Sequence, residues 1–254
     1  MLKNKLYINS SDRSSGDPSN FRLDLNHPIQ AVTGISLGRI NLANTFYGIN
    51  ETNRTLTWLE GATSLTVNLD LGDYPVGDGD TDNTGFLYLL KTAMDAASVA
   101  DGASKTYEVT YDRPTALISL ATEDDTVLTV TAVEPLCSVL GITSNKASAL
   151  VTGDRQLNLR PESNIYIETS LPIVSRVGNQ KRSVIAQYNM DAAFAGYSSQ
   201  QDWDTGFDVC NLAPTTISHI DLRLVDHAGN ILNNRGFDWS AQLFYTTLSS
   251  NQAS

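Results

Sequence analysis

The chain has 254 residues, enough for one large β domain or two smaller ones with an ample buried core. Seventeen Lys and Arg against 28 Asp and Glu give a net charge of −11, which repels phosphate backbones and argues against nucleic acid as a direct partner. Two cysteines, Cys137 and Cys210, are too few for a disulfide framework or a thiolate metal site, and no run approaches the ~20 apolar residues a membrane helix needs.

The opening MLKNKLYINSSDR has no apolar signal core, so nothing marks the chain for secretion. The Asn-x-Ser/Thr triplets at Asn9, Asn50 and Asn53 then carry little meaning. Phe21, Leu23 and Leu25 alternate with Arg22, Asp24 and Asn26, the period of a half-buried strand. Across residues 34–44 the apolar set changes phase, from Ile35 and Leu37 to Ile40 and Leu42, which predicts a β-bulge at Gly38. Leu65, Val67, Leu69 and Leu71 alternate with polar residues in the same way.

Helical spacing occurs once, over residues 84–98, where Phe86, Leu89, Leu90, Ala93 and Ala97 recur at three- and four-residue intervals and Thr84 is the expected N-cap. Strands follow at TYEVTYD, ALISLA and TVLTVTA, then a short helix or turn at residues 135–140 before Gly141. This stretch is bounded by polar NETNR and TSNKAS. The expected architecture is therefore all-β: a β-sandwich from residues 1–52 and 153–254, with an inserted α+β subdomain, residues 53–152, carrying one helix.

Residues 195–214, rich in Ser, Gln, Asp and Gly, read as a long surface loop. Ile220, Leu222 and Leu224 form a strand pattern, residues 226–230 a turn, and Phe237, Trp239, Ala241, Leu243 and Tyr245 a second strand. The pair predicts a closing hairpin or a sheet exchange, with Trp239, Phe237 and Leu243 in the core.

The stretch from Gly34 to Gly38 matches the G-x-S-x-G nucleophile elbow, but an elbow needs a helix after its serine, and here β-like sequence continues through Leu42. Ser36 therefore reads as a serine in a bulged strand. Asp78, Asp80 and Asp82 have the early spacing of a calcium loop, yet Asn83 stands where the turn glycine belongs and Leu89 where the bidentate Glu belongs. A solvated acidic turn is the better reading of this weak metal candidate. His27, His219 and His227 form no metal spacing, Asp226 and His227 read as a turn pair, and no phosphate or dinucleotide motif occurs. No cofactor and no enzymatic activity are expected.

Three stretches, LYINSSDRSSGDPSNFRLDL, ISLGRINLANTFYGIN and IDLRLVDHAGNILNNRGFDWSAQLFY, resemble the penton (minor capsid) proteins of virophages and polinton-like viruses. The middle, from LTVNLDLGDYPVGDG to TYEVTYD, is similar to a module inserted in such proteins. The resemblance implies a single jelly roll, five copies of which fill each vertex of an icosahedral shell among double jelly-roll major capsid proteins, with the module projecting outward. It implies a virion protein, assembled inside the host cell, whose partners are itself as a homopentamer, the major capsid protein and a host receptor or glycan.

In such a protein the loops carry the contacts. The candidates are residues 10–19, the basic stretch with Arg176, Lys181 and Arg182, and residues 195–214, where Tyr197, Trp203 and Phe207 stand in polar sequence as interface anchors do. Capping of the sandwich core by those aromatics is an equal alternative. The competing functions are a carbohydrate- or receptor-binding spike, a tail or adaptor protein of a bacterial virus, and an esterase using Ser36.

Overall fold

The computed structural model describes residues 3–77, 83–201 and 209–248, and they divide into two compact units, residues 1–46 with 162–254 and residues 47–161. Unit 1 opens with β1 (Lys3–Asn9), a 3-10 turn (Ser10–Asp12), β2 (Ser15–Asp17) and the long β3 (Asn20–Ala43). Unit 2 contains β4 (Thr55–Glu60), β5 (Thr63–Asn68), α1 (Phe86–Ala100), β6 (Tyr107–Asp112), β7 (Leu117–Thr122), β8 (Leu128–Val130), α2 (Cys137–Leu140), β9 (Lys146–Ser148) and β10 (Leu150–Thr152). The chain then returns to unit 1 through β11 (Asn164–Thr169), β12 (Ser175–Val177), β13 (Gln180–Arg182), β14 (Val184–Asn189), β15 (Tyr197–Gln201), β16 (Cys210–Val225) and β17 (Ser240–Thr247).

Unit 1 is a jelly-roll sandwich made from one curled antiparallel sheet, β1-β17-β3-β16-β11-β14, with β2 and β15 also on β3. The N-terminal part of β3 lies between β2 and β16, and its C-terminal part between β17 and β15. Between them the strand breaks step: Ala31 takes φ 51°, and β16 slips register at three places between Asn211 and His219. Pro28 and Pro214, which have no N–H to donate to the ladder, both fall in these irregular stretches. Phe21, Leu23, Ile35, Ile40 and Leu42 of β3 then share one core with Ile165 and Ile167 of β11, Leu222 and Leu224 of β16, and Ile8 and Leu243 from β1 and β17.

The bulge falls at Gly38: Arg39 pairs with Gln242 and Leu37 with Leu243, leaving Gly38 unpaired. A Cβ there would meet the Phe244 ring at 2.4 Å, so the ring covers the glycine. Ser36 sits inside the continuous β3, opposite Phe244, without the strand-to-helix turn of a nucleophile elbow.

Unit 2 has a four-stranded sheet, β5-β4-β8-β9, and a three-stranded sheet, β10-β7-β6, with α1 packed against β5 and β6. α1 buries Phe86, Leu87, Leu90 and Met94, while Leu89, Ala93 and Ala97 are half-buried beside them. At the centre the Trp58 Nε1 donates to the Tyr107 hydroxyl at 2.9 Å, and that hydroxyl donates to Glu60 at 3.1 Å. Burial pushes the Tyr107 phenol well above its usual range.

Several expectations need correction. The N-cap of α1 is Gly85 rather than Thr84, and the Pro75 and Val76 carbonyls accept the N–H groups of Phe86 and Leu87 that open the helix. Of the described part of residues 195–214, Tyr197–Gln201 forms β15 and residues 210–214 open β16, since a free edge of β3 takes up Tyr197–Gln201. β16 and β17 form no hairpin; β3 lies between them. Trp239 and Leu243 are buried, but Phe237 is half exposed because it precedes β17 in the Asn234–Phe237 turn. Unit 2 also reaches beyond 53–152: Ile49 bridges to Gly72, and Leu157 and Asn158 donate to the Ala116 and Val139 carbonyls.

Cys137 is fully buried, its thiol pushed up to about 12 by burial, while Cys210 is half-buried. Among the described residues no helix is long and apolar enough to cross a membrane, and no three His, Cys, Asp or Glu side chains cluster as metal donors.

Candidate interaction surface

The three candidate loops turn out to differ in how firmly they are held. Residues 10–19 are pinned. Ser10 exchanges backbone and side-chain hydrogen bonds with Trp239, its hydroxyl donates to Asp238 at 2.8 Å, and Arg13 bridges the Ser10 carbonyl and Asp238. Further along, the Trp239 indole donates to the Pro18 carbonyl at 2.6 Å and its ring meets Phe21 edge-on. Ser19 and Asn234, both buried, bond through their side chains at 2.8 Å. This segment is a strut that ties the chain start to the turn before β17, with Ser11, Asp12 and Ser15 left facing solvent.

The basic stretch folds as a hairpin. β12 and β13 pair Arg176 with Lys181 and Val177 with Gln180, and Gly178 at φ 59° opens the two-residue turn. Arg176 and Lys181 are exposed directly opposite each other, two cations side by side on one face. Arg182, one step on, belongs to the interior. Its Nε donates to Glu168 at 2.5 Å, its Nη1 donates to the His227 carbonyl at 2.9 Å, and its guanidinium lies 5.7 Å from the Tyr166 ring centroid. Both side chains of this ion pair are about nine-tenths buried. Arg223 Nη2 stands 3.4 Å from the other Glu168 oxygen. Sequence alone gave three equivalent cations, because the alternation that buries Arg182 and exposes Lys181 begins only once the hairpin register is set.

Tyr197, at the start of β15 opposite Ala43, is 65% exposed and so is available as an anchor rather than a cap on the core. Trp203 and Phe207 lie outside the described residues, as do Asp78, Asp80 and Asp82. The structure therefore leaves Arg176 and Lys181 on one hairpin and Tyr197 on an edge strand as outward-facing candidates.

An eight-stranded curled sheet, with a module of two small sheets and one main helix entering between β3 and β11, is a specific arrangement. The fold is similar to that of the mavirus penton protein. That crystal structure matches 97% of this chain and 100% of its own at a TM-score of 0.52, with 10% sequence identity. No family model matches the chain, and no curated protein matches it by sequence. The penton-like fold is thus carried by topology and core pattern, with almost no shared residues to transfer a site from.

Sequence reasoning missed one surface. Tyr7, Asn9, Asp12, Arg39, Asn41, Ser240 and Gln242 line an open depression on the outer side of β1, β17 and β3. Strand alternation marks each residue as outward, but only the β1–β17 and β17–β3 registers bring them together.

Proposed function

We propose that the chain is a capsid penton protein, five copies of which close a ring at each fivefold vertex of an icosahedral virion assembled in the host cell. The observation that supports this most is the fold similarity to the mavirus penton protein over nearly the full length of both chains. In this reading the neighbours are further copies of the chain and the surrounding major capsid protein, and residues 47–161 form the inserted module.

A ring requires a head-to-tail contact whose rotation closes the circle. The exposed Arg176–Lys181 pair and Tyr197 are the contact residues we assign from the described surface, with Trp203 and Phe207 further candidates. A specific contact of this kind buries roughly 1,000 Å² or more, with aromatics near the centre and charges at the rim. Cryo-electron microscopy of the particle tests the proposal directly. Density for this chain at fivefold vertices supports it, and density at threefold positions, in a tail or nowhere in the particle overturns it. Within a vertex, Arg176→Glu with Lys181→Glu is expected to lower vertex occupancy while leaving the isolated protein folded.

A further inference from the structure

One face of unit 1 carries polar side chains that the fold does not use. Along β1, β17 and β3 the register sets Tyr7 opposite Gln242 and Gln242 opposite Arg39. Two residues away, Asn9 stands opposite Ser240 and Ser240 opposite Asn41. Residues directly opposite and residues two apart share a side of the sheet. The intervening Ile8, Ala241 and Ile40 are buried in the core, so all six point outward. Strand spacing of about 4.8 Å and a rise of about 3.4 Å per residue make them a patch of roughly 10 by 7 Å. Asp12 joins them at the end of the 3-10 turn, and together they line a depression of about 470 Å³.

These side chains have spare hydrogen-bonding capacity. Among the described residues, no side-chain hydrogen bond or ion pair engages Tyr7, Arg39, Asn41, Ser240 or Gln242, and Asn9 uses only its carbonyl oxygen, toward the Ser11 N–H. Nearby polar groups behave differently, since Ser10, Arg13 and Asp238 are tied to one another. Tyr7 is 69% exposed, a large ring beside free amides, a hydroxyl and a guanidinium.

Primary amides present a donor and an acceptor at fixed spacing, which suits neighbouring hydroxyls on one ring. An exposed tyrosine offers an apolar face with a polar tip. Arg39 and Asp12 carry opposite charges, so the depression as a whole favours no ionic ligand. With one aromatic among six polar neighbours, the patch also lacks the apolar centre of a stable protein interface.

We infer that the outer face of β1, β17 and β3 is a binding site for a neutral pyranose, with Tyr7 stacking on the sugar's C–H face and Gln242, Asn41 and Arg39 bonding its hydroxyls. The inference does not depend on the vertex assignment, although a ring of five would add the strength of repeated weak sites.

The test is the full-length protein on an array of neutral and charged oligosaccharides, followed by saturation-transfer NMR with the methyl pyranosides of the sugars bound. Wild type is expected to bind a neutral sugar, with transfer strongest to its ring C–H protons. Tyr7→Ala should weaken binding about tenfold or more, Tyr7→Phe should largely retain it, and Asn41→Ala and Gln242→Ala should each weaken it. Phe237→Ala, an exposed aromatic outside the depression, should leave it unchanged, and near-ultraviolet circular dichroism should show every variant folded. The site is overturned by no sugar binding, by binding that survives Tyr7→Ala, or by binding of charged sugars alone. It is equally overturned if a cross-linker placed at position 7 captures a second copy of the chain in the particle, which would make this face a subunit contact.

Discussion

The two units reach their cores by opposite routes. In unit 1, β3 ends at Ala43 and its main partners begin at Cys210 and Ser240, so the sheet assembles only when both ends of the chain are present. In unit 2, β4 and β5 are joined by a two-residue turn at Gly61, and β6 and β7 by a short loop, so most pairing is with the nearest neighbour in sequence. Charge divides as well: residues 47–161 hold 16 acidic and 7 basic residues, the rest of the chain 12 and 10. The acidity of the sequence is thus almost wholly a property of the inserted unit. Local contacts close small loops at little entropic cost, which lets such a unit fold inside a chain whose outer parts have yet to meet.

The sharpest way to break this comparison is to separate the parts. Residues 47–161 expressed alone should give a cooperatively folded α+β protein, whereas residues 1–46 or 162–254 alone should show no protected amides by hydrogen exchange. A 47–161 fragment without dispersed NMR signals would show that the inserted unit depends on unit 1. Next in size come the two central tryptophans. Trp58→Ala and Trp239→Ala should each cost about 3–5 kcal/mol through cavity formation and lost hydrogen bonds. The first should lower amide protection in residues 47–161 only, the second only in unit 1. Equal losses in both units after either change would mean one cooperative block.

A smaller effect is expected at the buried ion pair of unit 1. Arg182→Ala leaves the Glu168 carboxylate about nine-tenths buried with only Arg223 nearby, and should cost about 3 kcal/mol in a chemical denaturation series. Adding Glu168→Gln should recover part of that loss, since the stranded charge is then gone. If Arg182→Ala changes stability no more than Lys181→Ala does, the pair is a surface contact in solution.

Strand alternation made the sheets legible in the sequence, and the phase change around Gly38 located a bulge to the residue. The helix was equally clear in its period, but its start was not, because the carbonyls that cap it come from Pro75 and Val76 in a loop with no periodic signal. Edge pairing was invisible: Tyr197–Gln201 is polar on a sheet edge, and polar strands read as loops. The surface at Tyr7 was hidden for a different reason. Its residues are scattered from 7 to 242 and only the register of three strands gathers them, so no spacing along the chain could have announced it.

The smallest expected effect concerns acid. Among the surface pairs of unit 2 are Lys105 with Asp124 and Lys146 with Asp154. Each carboxyl is held well below its ordinary 3.8, Asp124 by the Lys105 ammonium and then Thr126, Asp154 by the Lys146 ammonium and then the Thr143 N–H. A carboxyl with a depressed folded-state value stabilises the fold above its unfolded value and loses that stabilisation as pH falls toward the folded one. The loss in unit 2 should therefore begin near pH 3.8 and deepen below it. Mild acid should act in the opposite direction, because partial neutralisation of 16 acidic residues relieves repulsion in that unit. The expected profile for residues 47–161 is level or slightly rising from pH 7 to about 5, then falling under pH 3.8. Among the described residues of unit 1 a single carboxyl, Asp24, is lowered, through its hydrogen bond from Arg22, so the acid limb of unit 1 should be shallower. Hydrogen exchange across the pH series reads both units in one sample. Asp124→Asn with Asp154→Asn should flatten the acid limb of unit 2 alone, and an unaltered limb in that double variant would show that the two pairs take no part in its acid response.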